Sequence, residues 1–105
     1  MSITDPKKID TMADGGDTLV LAVSDHLRWD IERAAHLSTL QDKLNTYVRF
    51  YESGEYMQYF DGKKFEKCRI EVHFLHEWHE CFDKMLELVK DKLDAKNITI
   101  RCTLN

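Results

Sequence analysis

The sequence predicts an α+β fold: a two-layer sandwich in ββαβαβ order, with a four-stranded mixed sheet and two helices on one face. Three observations carry that expectation. Four short stretches, near residues 8–12, 18–24, 68–74 and 98–104, have strand character. Two longer ones, about 31–52 and 78–96, repeat apolar residues every three or four positions, the period of a helix buried along one stripe. Apolar residues collect on one side of each element, and two packed layers bury such sides economically.

The first strand is expected over Lys8 to Met12. Ala13-Asp14-Gly15-Gly16-Asp17 follows as a turn, because Asp-Gly and Gly-Gly supply the positive φ of tight hairpins. Thr18 to Ser24 alternates, with Leu19, Leu21 and Val23 on one face and Val20 and Ala22 on the other. A long helix from Ile31 to Glu52 places Leu37, Leu40, Leu44, Tyr47, Val48 and Tyr51 on its buried side. Asp42, Lys43, Asn45 and Arg49 are assigned to solvent. Asp30 stands where an N-cap is wanted, since its carboxylate can accept an orphan backbone N–H and suits the helix dipole. Ser53-Gly54 ends the helix.

Glu55 to Phe60 reads either as a strand paired through Asp61-Gly62 or as an aromatic loop over the core. Cys68, Ile70, Val72 and Phe74 alternate with Arg69, Glu71 and His73 in a half-buried strand. Phe82, Met85, Leu86, Val89 and Leu93 mark the second helix, Trp78 to Lys96. Ile98, Ile100, Cys102 and Leu104 form the last strand. The helix-free sheet face is then expected to show Val20, Ala22, Arg69, Glu71, His73, Thr99, Arg101 and Thr103, a mixed surface able to meet a partner.

A chain of 105 residues is expected to form one domain over 1–105. Its formal charge of −4 opposes a nucleic-acid role, because Lys63, Lys64, Lys67 and Arg69 are interrupted by Glu66. No apolar run reaches the roughly 20 residues of a membrane span. Residues 1–8 lack the apolar core of a secretory signal. Cys68, Cys81 and Cys102 are odd in number and widely spaced, so reduced thiols and a cytoplasmic location are expected.

The run Ser24-Asp25-His26-Leu27-Arg28-Trp29-Asp30 crowds a carboxylate, an imidazole and an indole into one strand-to-helix junction. Such junctions often carry function, because a rigid scaffold holds their polar groups. Asp25-His26-Leu27-x-Trp29, with Leu40-Gln41-x-Lys43-Leu44-Asn45-x-Tyr47 and Glu52-Ser53-Gly54-Glu55, resembles the pattern of a family of small bacterial domains of unknown function. The resemblance covers about the first 55 residues and extends loosely over the last three elements; His76-Glu77-Trp78-His79 is not part of it. It implies a bacterial intracellular α+β protein and supplies no activity.

Read as chemistry, Asp25 and His26 resemble an orienting carboxylate and its base. Neighbours at a strand end point to opposite sides, however, which opposes direct pairing. Asp25 and Asp30 are instead suited to holding backbone N–H groups, with Trp29 closing the core edge. Ser24 and Ser53 lie in no nucleophile elbow, and there is no glycine-rich phosphate loop, so no cofactor is implied. His73, His76, His79 and Cys81 are the candidate zinc ligands, at a spacing that matches no established pattern. Tyr47, Tyr51, Tyr56, Tyr59 and Phe60 form the densest aromatic region, and exposed members beside Trp29 would make a recognition patch.

The leading reading is a non-catalytic binding or protein-interaction module, either a homodimer or an adaptor to another protein. Its candidate binding residues are Asp25, His26, Trp29, Tyr56, Tyr59 and Arg101. A small enzyme or ligand-binding domain with a pocket near Asp25, His26 and Trp29 is the first alternative. A zinc protein using His73 to Cys81 is the second.

Overall fold

A computed structural model describes residues 9–105. Along the chain run β1 (Thr11–Asp14), β2 (Thr18–Asp25), α1 (Arg33–Glu52), a short 3-10 helix (Glu55–Tyr59), β3 (Lys67–Phe74), α2 (Glu80–Ala95) and β4 (Ile98–Leu104). The strands form one mixed sheet in the order β1-β2-β3-β4. β1 and β2 are antiparallel, whereas β2–β3 and β3–β4 pair in parallel. The expected α+β class and ββαβαβ order are therefore present. A tight turn suffices for the antiparallel pair, but each parallel pair needs a crossover, which α1 and α2 provide.

The β1–β2 turn is closed by Gly15 N–H donating to the Thr18 carbonyl (2.9 Å) and by Gly16 N–H donating to Asp14 Oδ1 (2.9 Å). Strand β1 begins at Thr11, later than expected, and Lys8 lies outside the described residues.

Parallel register stacks the apolar rows of the sheet. Leu19, Cys68 and Ile98 form one row, Leu21, Ile70 and Ile100 the next, and Val23, Val72 and Cys102 a third. Helix α1 covers them with Leu40, Leu44, Tyr47 and Phe50, and α2 adds the fully buried Phe82. Each such side chain contributes roughly 1.5–3 kcal/mol on leaving water.

The buried stripe of α1 is His36, Leu40, Lys43, Leu44, Tyr47 and Phe50, while Leu37, Val48 and Tyr51 flank it half-buried. Lys43 is thus core rather than solvated. Its stem fills the interior, and its Nζ lies 3.2 Å from Asp10 Oδ1, a carboxylate buried with it. One turn on, the Tyr47 hydroxyl accepts from Asp10 N–H (3.1 Å) and donates to the Ala22 carbonyl (2.8 Å). Burial pushes the Tyr47 phenol well above its ordinary range, although the bond from Asp10 N–H works the other way.

Helix α1 starts two residues later than expected, and Asp30 does not cap it. Arg28 takes the Asp30 carboxylate instead, with bonds of 3.0 and 2.6 Å. The capping position is held by Glu32 in a left-handed conformation (φ 47°), with no side-chain cap bond. Gly54 (φ 78°) turns the chain out of α1, and the segment open to two readings coils as the 3-10 helix.

The helix-free face shows the expected residues, joined by Ser24, in rows: Val20, Arg69 and Thr99; Ala22, Glu71 and Arg101; Ser24, His73 and Thr103. It is internally paired. Arg69 Nε donates to Glu71 Oε2 (2.9 Å), His73 Nε2 lies 3.5 Å from Glu71 Oε1, and His73 Nδ1 lies 2.8 Å from Thr103 Oγ1.

Candidate functional site

Asp25 closes β2 and is 1% exposed. Its Oδ1 accepts the Leu27 N–H (3.0 Å), which fixes the exit of the strand. Its Oδ2 lies 2.6 Å from Nε2 of His36, one turn into α1. The other ring nitrogen, Nδ1, lies 3.2 Å from the Arg28 carbonyl. That carbonyl only accepts, so Nδ1 carries a proton. A second proton sits between Nε2 and Oδ2, and the pair is neutral overall whichever atom holds it. The indole of Trp29 stacks on the imidazole, with centroids 3.7 Å apart and planes at 23°. Trp29 in turn packs on Phe74 and Phe82. The Asp25–His36 pair is therefore buried beneath an aromatic lid on this side, and His36 also lines the hollow beside His26.

His36 was not among the sequence candidates. Its signal was its place on the α1 stripe with Leu40, Lys43 and Leu44, where an imidazole requires a buried partner.

Above the lid lies a cleft of about 400 Å³ at the carboxyl ends of the parallel strands β2 and β3. The β2–α1 side supplies Arg28, Trp29, Asp30 and Arg33, and the β3–α2 side supplies His76, Glu77, Trp78 and His79. This is where parallel α/β sheets place ligands, because the crossover loops and helix amino termini converge there.

The Arg28 guanidinium holds the Asp30 carboxyl below its usual range, with a smaller contribution from His76. Arg33 donates from Nε to the Trp29 carbonyl (3.2 Å), and its terminal nitrogens have no partner among the described residues. His79 Nδ1 accepts the Cys81 N–H (3.0 Å) and caps α2, which leaves its proton on Nε2. Trp78 Nε1 donates to Asp83 (3.0 Å). Trp29 Nε1 is buried with no hydrogen-bond partner among the described residues.

The remaining candidates do not gather here. His26 is exposed and lines an adjoining hollow with Leu27, Ile31 and Glu32. Tyr56 is buried, its hydroxyl accepting from Phe65 N–H (3.2 Å), whereas Tyr59 is 58% exposed. Both follow the end of α1, which runs back from Trp29, so they stand at the opposite end of the sheet. Arg101 projects from the helix-free face.

The four zinc candidates are likewise separated. His73 belongs to the open sheet face, His79 uses Nδ1 as a cap, His76 lines the cleft, and Cys81 packs half-buried against the core. Among the described residues, no group of three or more His, Cys, Asp or Glu is placed to hold a metal ion. Nor is any helix among them long and apolar enough to cross a membrane.

No curated protein and no solved structure matches the chain. Residues 1–105 match DUF6572, a family of unknown function, and the chain belongs to that family.

Proposed function

We propose that this protein is a non-catalytic binding domain and that its cleft takes a small ligand bearing an anionic group, a phosphate or a carboxylate. The observation that carries this reading is the placement of the Arg33 guanidinium and the His79 Nε2–H around one cavity walled by two indoles. Of the two arginines lining the cleft, Arg33 is the one whose terminal nitrogens have no partner among the described residues, because Asp30 occupies Arg28. Glu77 on the opposite wall disfavours a second negative charge near it, so the anionic group belongs on the Arg33 side. The half-buried Trp78 offers a face for an apolar or aromatic ligand body.

Catalysis is disfavoured by the chemistry of the buried groups. The buried Asp25–His36 pair has side chains 0% and 2% exposed, and both ring nitrogens are already engaged. Burial pushes the Cys68 thiol up to about 12. Burial, with a contribution from Asp83, pushes that of Cys102 up to about 11. Both stay protonated at neutral pH and are poor nucleophiles. The free thiols suit a reducing compartment such as the cytoplasm.

The chain's two tryptophans both line this cleft, so intrinsic fluorescence reports on it directly. Titration with inorganic pyrophosphate should give a saturable change in tryptophan emission that Arg33→Ala abolishes while the far-UV circular dichroism is unchanged. A wild-type protein whose emission ignores pyrophosphate and a panel of small carboxylates would refute the reading, as would a response that survives loss of Arg33.

A further inference from the structure

At the far side of the sheet from β1, strand β4 has a neighbour on one side only among the described residues. Its bonding parity can be followed from the two ends of the ladder. Cys68 N–H donates to the Asn97 carbonyl (2.9 Å), and Asn105 N–H donates to the Phe74 carbonyl (2.8 Å). A parallel ladder uses alternate residues, so Asn97, Thr99, Arg101, Thr103 and Asn105 bond inward to β3. The N–H and C=O groups of Ile98, Ile100, Cys102 and Leu104 therefore point outward.

Proteins usually guard such an edge with a short strand, a proline, a bulge or a lysine. The other edge, β1, is four residues long. Strand β4 has seven residues, continuous register from Ile98 to Leu104, no proline, and Arg101 as its one charged side chain.

A second observation lies beside it. Helix α2 covers the edge incompletely: of its apolar face only Phe82 is buried, while Leu86 and Leu93 remain partly exposed. Leu86 and Leu93 line a mainly apolar groove with Ile98 and Ile100, and Glu87 and Lys90 stand on its rim.

We infer that this edge pairs with the β4 edge of a second copy of the chain, antiparallel about a twofold axis, to make a continuous eight-stranded sheet. This inference is independent of the cleft. An added strand must turn apolar side chains toward the helix layer and polar ones toward the open face. Strand β4 meets both requirements, with Ile98, Ile100, Cys102 and Leu104 on one side and Thr99, Arg101 and Thr103 on the other.

A register centred on Ile100 opposes Ile98 to Cys102 and Thr99 to Arg101. It avoids the facing arginines of a register centred on Arg101, which like charges would penalise. The same axis runs the two α2 helices antiparallel over the grooves. Glu87 and the Lys90–Asp94 ion pair (3.2 Å) of each copy then flank the seam, and every contact across it repeats by symmetry.

Sedimentation equilibrium gives the mass, and amide hydrogen exchange followed by NMR tests the geometry. The expected result is a particle of two chains in which the Ile100 and Cys102 amides are protected as well as those of Thr99 and Arg101. Cys102→Pro, which removes an outward N–H and no bond to β3, should leave a folded monomer. A monomer at millimolar concentration overturns the inference, whether or not Ile100 and Cys102 are protected in it. A dimer whose Ile100 and Cys102 amides exchange freely also overturns it, because another surface then holds the two chains.

Discussion

At the scale of single residues, buried polar groups do the structural work. Asp25 joins the end of β2 to the first turn of α1 through Leu27 N–H and His36. Truncation by Asp25→Ala strands the imidazole among apolar neighbours and should cost about 3–5 kcal/mol in urea denaturation. The amide of Asp25→Asn can donate to Nε2 of a neutral His36 while its oxygen still accepts from Leu27, so that variant should retain most of the stability. Equal losses in the two variants would contradict this hydrogen-bond assignment. Tyr47→Phe removes a donor from the Ala22 carbonyl and leaves the Asp10 N–H without its hydroxyl acceptor, and should cost about 1–3 kcal/mol in the same measurement.

Asp25 and Trp29 were legible in the sequence as residues of interest, but His36 and Lys43 were not. Each sits at helical spacing with Leu40 and Leu44, yet a polar residue on an apolar stripe reads as a break in it. Only the distant partners, Asp25 and Asp10, make burial affordable.

Among the elements, the strands and their faces were readable because alternation along Leu19 to Val23 and Cys68 to Phe74 allows one orientation toward the helices. Helix ends were less readable. At the start of α1, Asp30 has the right chemistry for a cap, but a guanidinium two residues away competes better for its carboxylate than a backbone N–H does. The α1 exit was legible in Ser53-Gly54. Gly54 adopts φ 78°, and a Cβ there would lie 2.7 Å from Met57 Cε. Gly54→Ala should therefore cost roughly 1–2 kcal/mol, chiefly through the left-handed backbone, since the methionine tip can move aside. An unchanged unfolding midpoint would show that this turn relaxes to another conformation.

Over the whole molecule, the layer order was legible and the location of the site was not. Topology sends the β2–α1 and β3–α2 loops to one end of the sheet and the aromatic Tyr56–Tyr59 segment to the other, a separation that sequence proximity hides. The cleft draws on His76 to His79, a run without a recognisable motif, because its meaning arises only opposite Arg33.

The buried neutral groups also set a pH limit. Burial raises Cys68 from an ordinary 9.0 to about 12 and moves the Tyr47 and Tyr51 phenols upward. The folded chain thus keeps protons that the unfolded chain releases. Their contribution to stability is complete below about pH 9 and is lost as the pH rises through the folded-state values. Thermal unfolding monitored from pH 8 to 11 should show a falling midpoint above about pH 9, less steep in Cys68→Ala relative to that variant's own value at pH 8. A midpoint independent of alkaline pH would contradict the burial of these groups.

The division between a buried Asp25–His36 pair that holds the fold and an open cleft that binds is tested most directly on one conservative variant. Asp25→Asn is to be melted, and its tryptophan emission titrated with inorganic pyrophosphate beside the wild type. The expected result is a folded protein with the wild-type saturable response, because the carboxylate never reaches the ligand. A folded variant that has lost the response would place Asp25 in the binding chemistry and contradict the division.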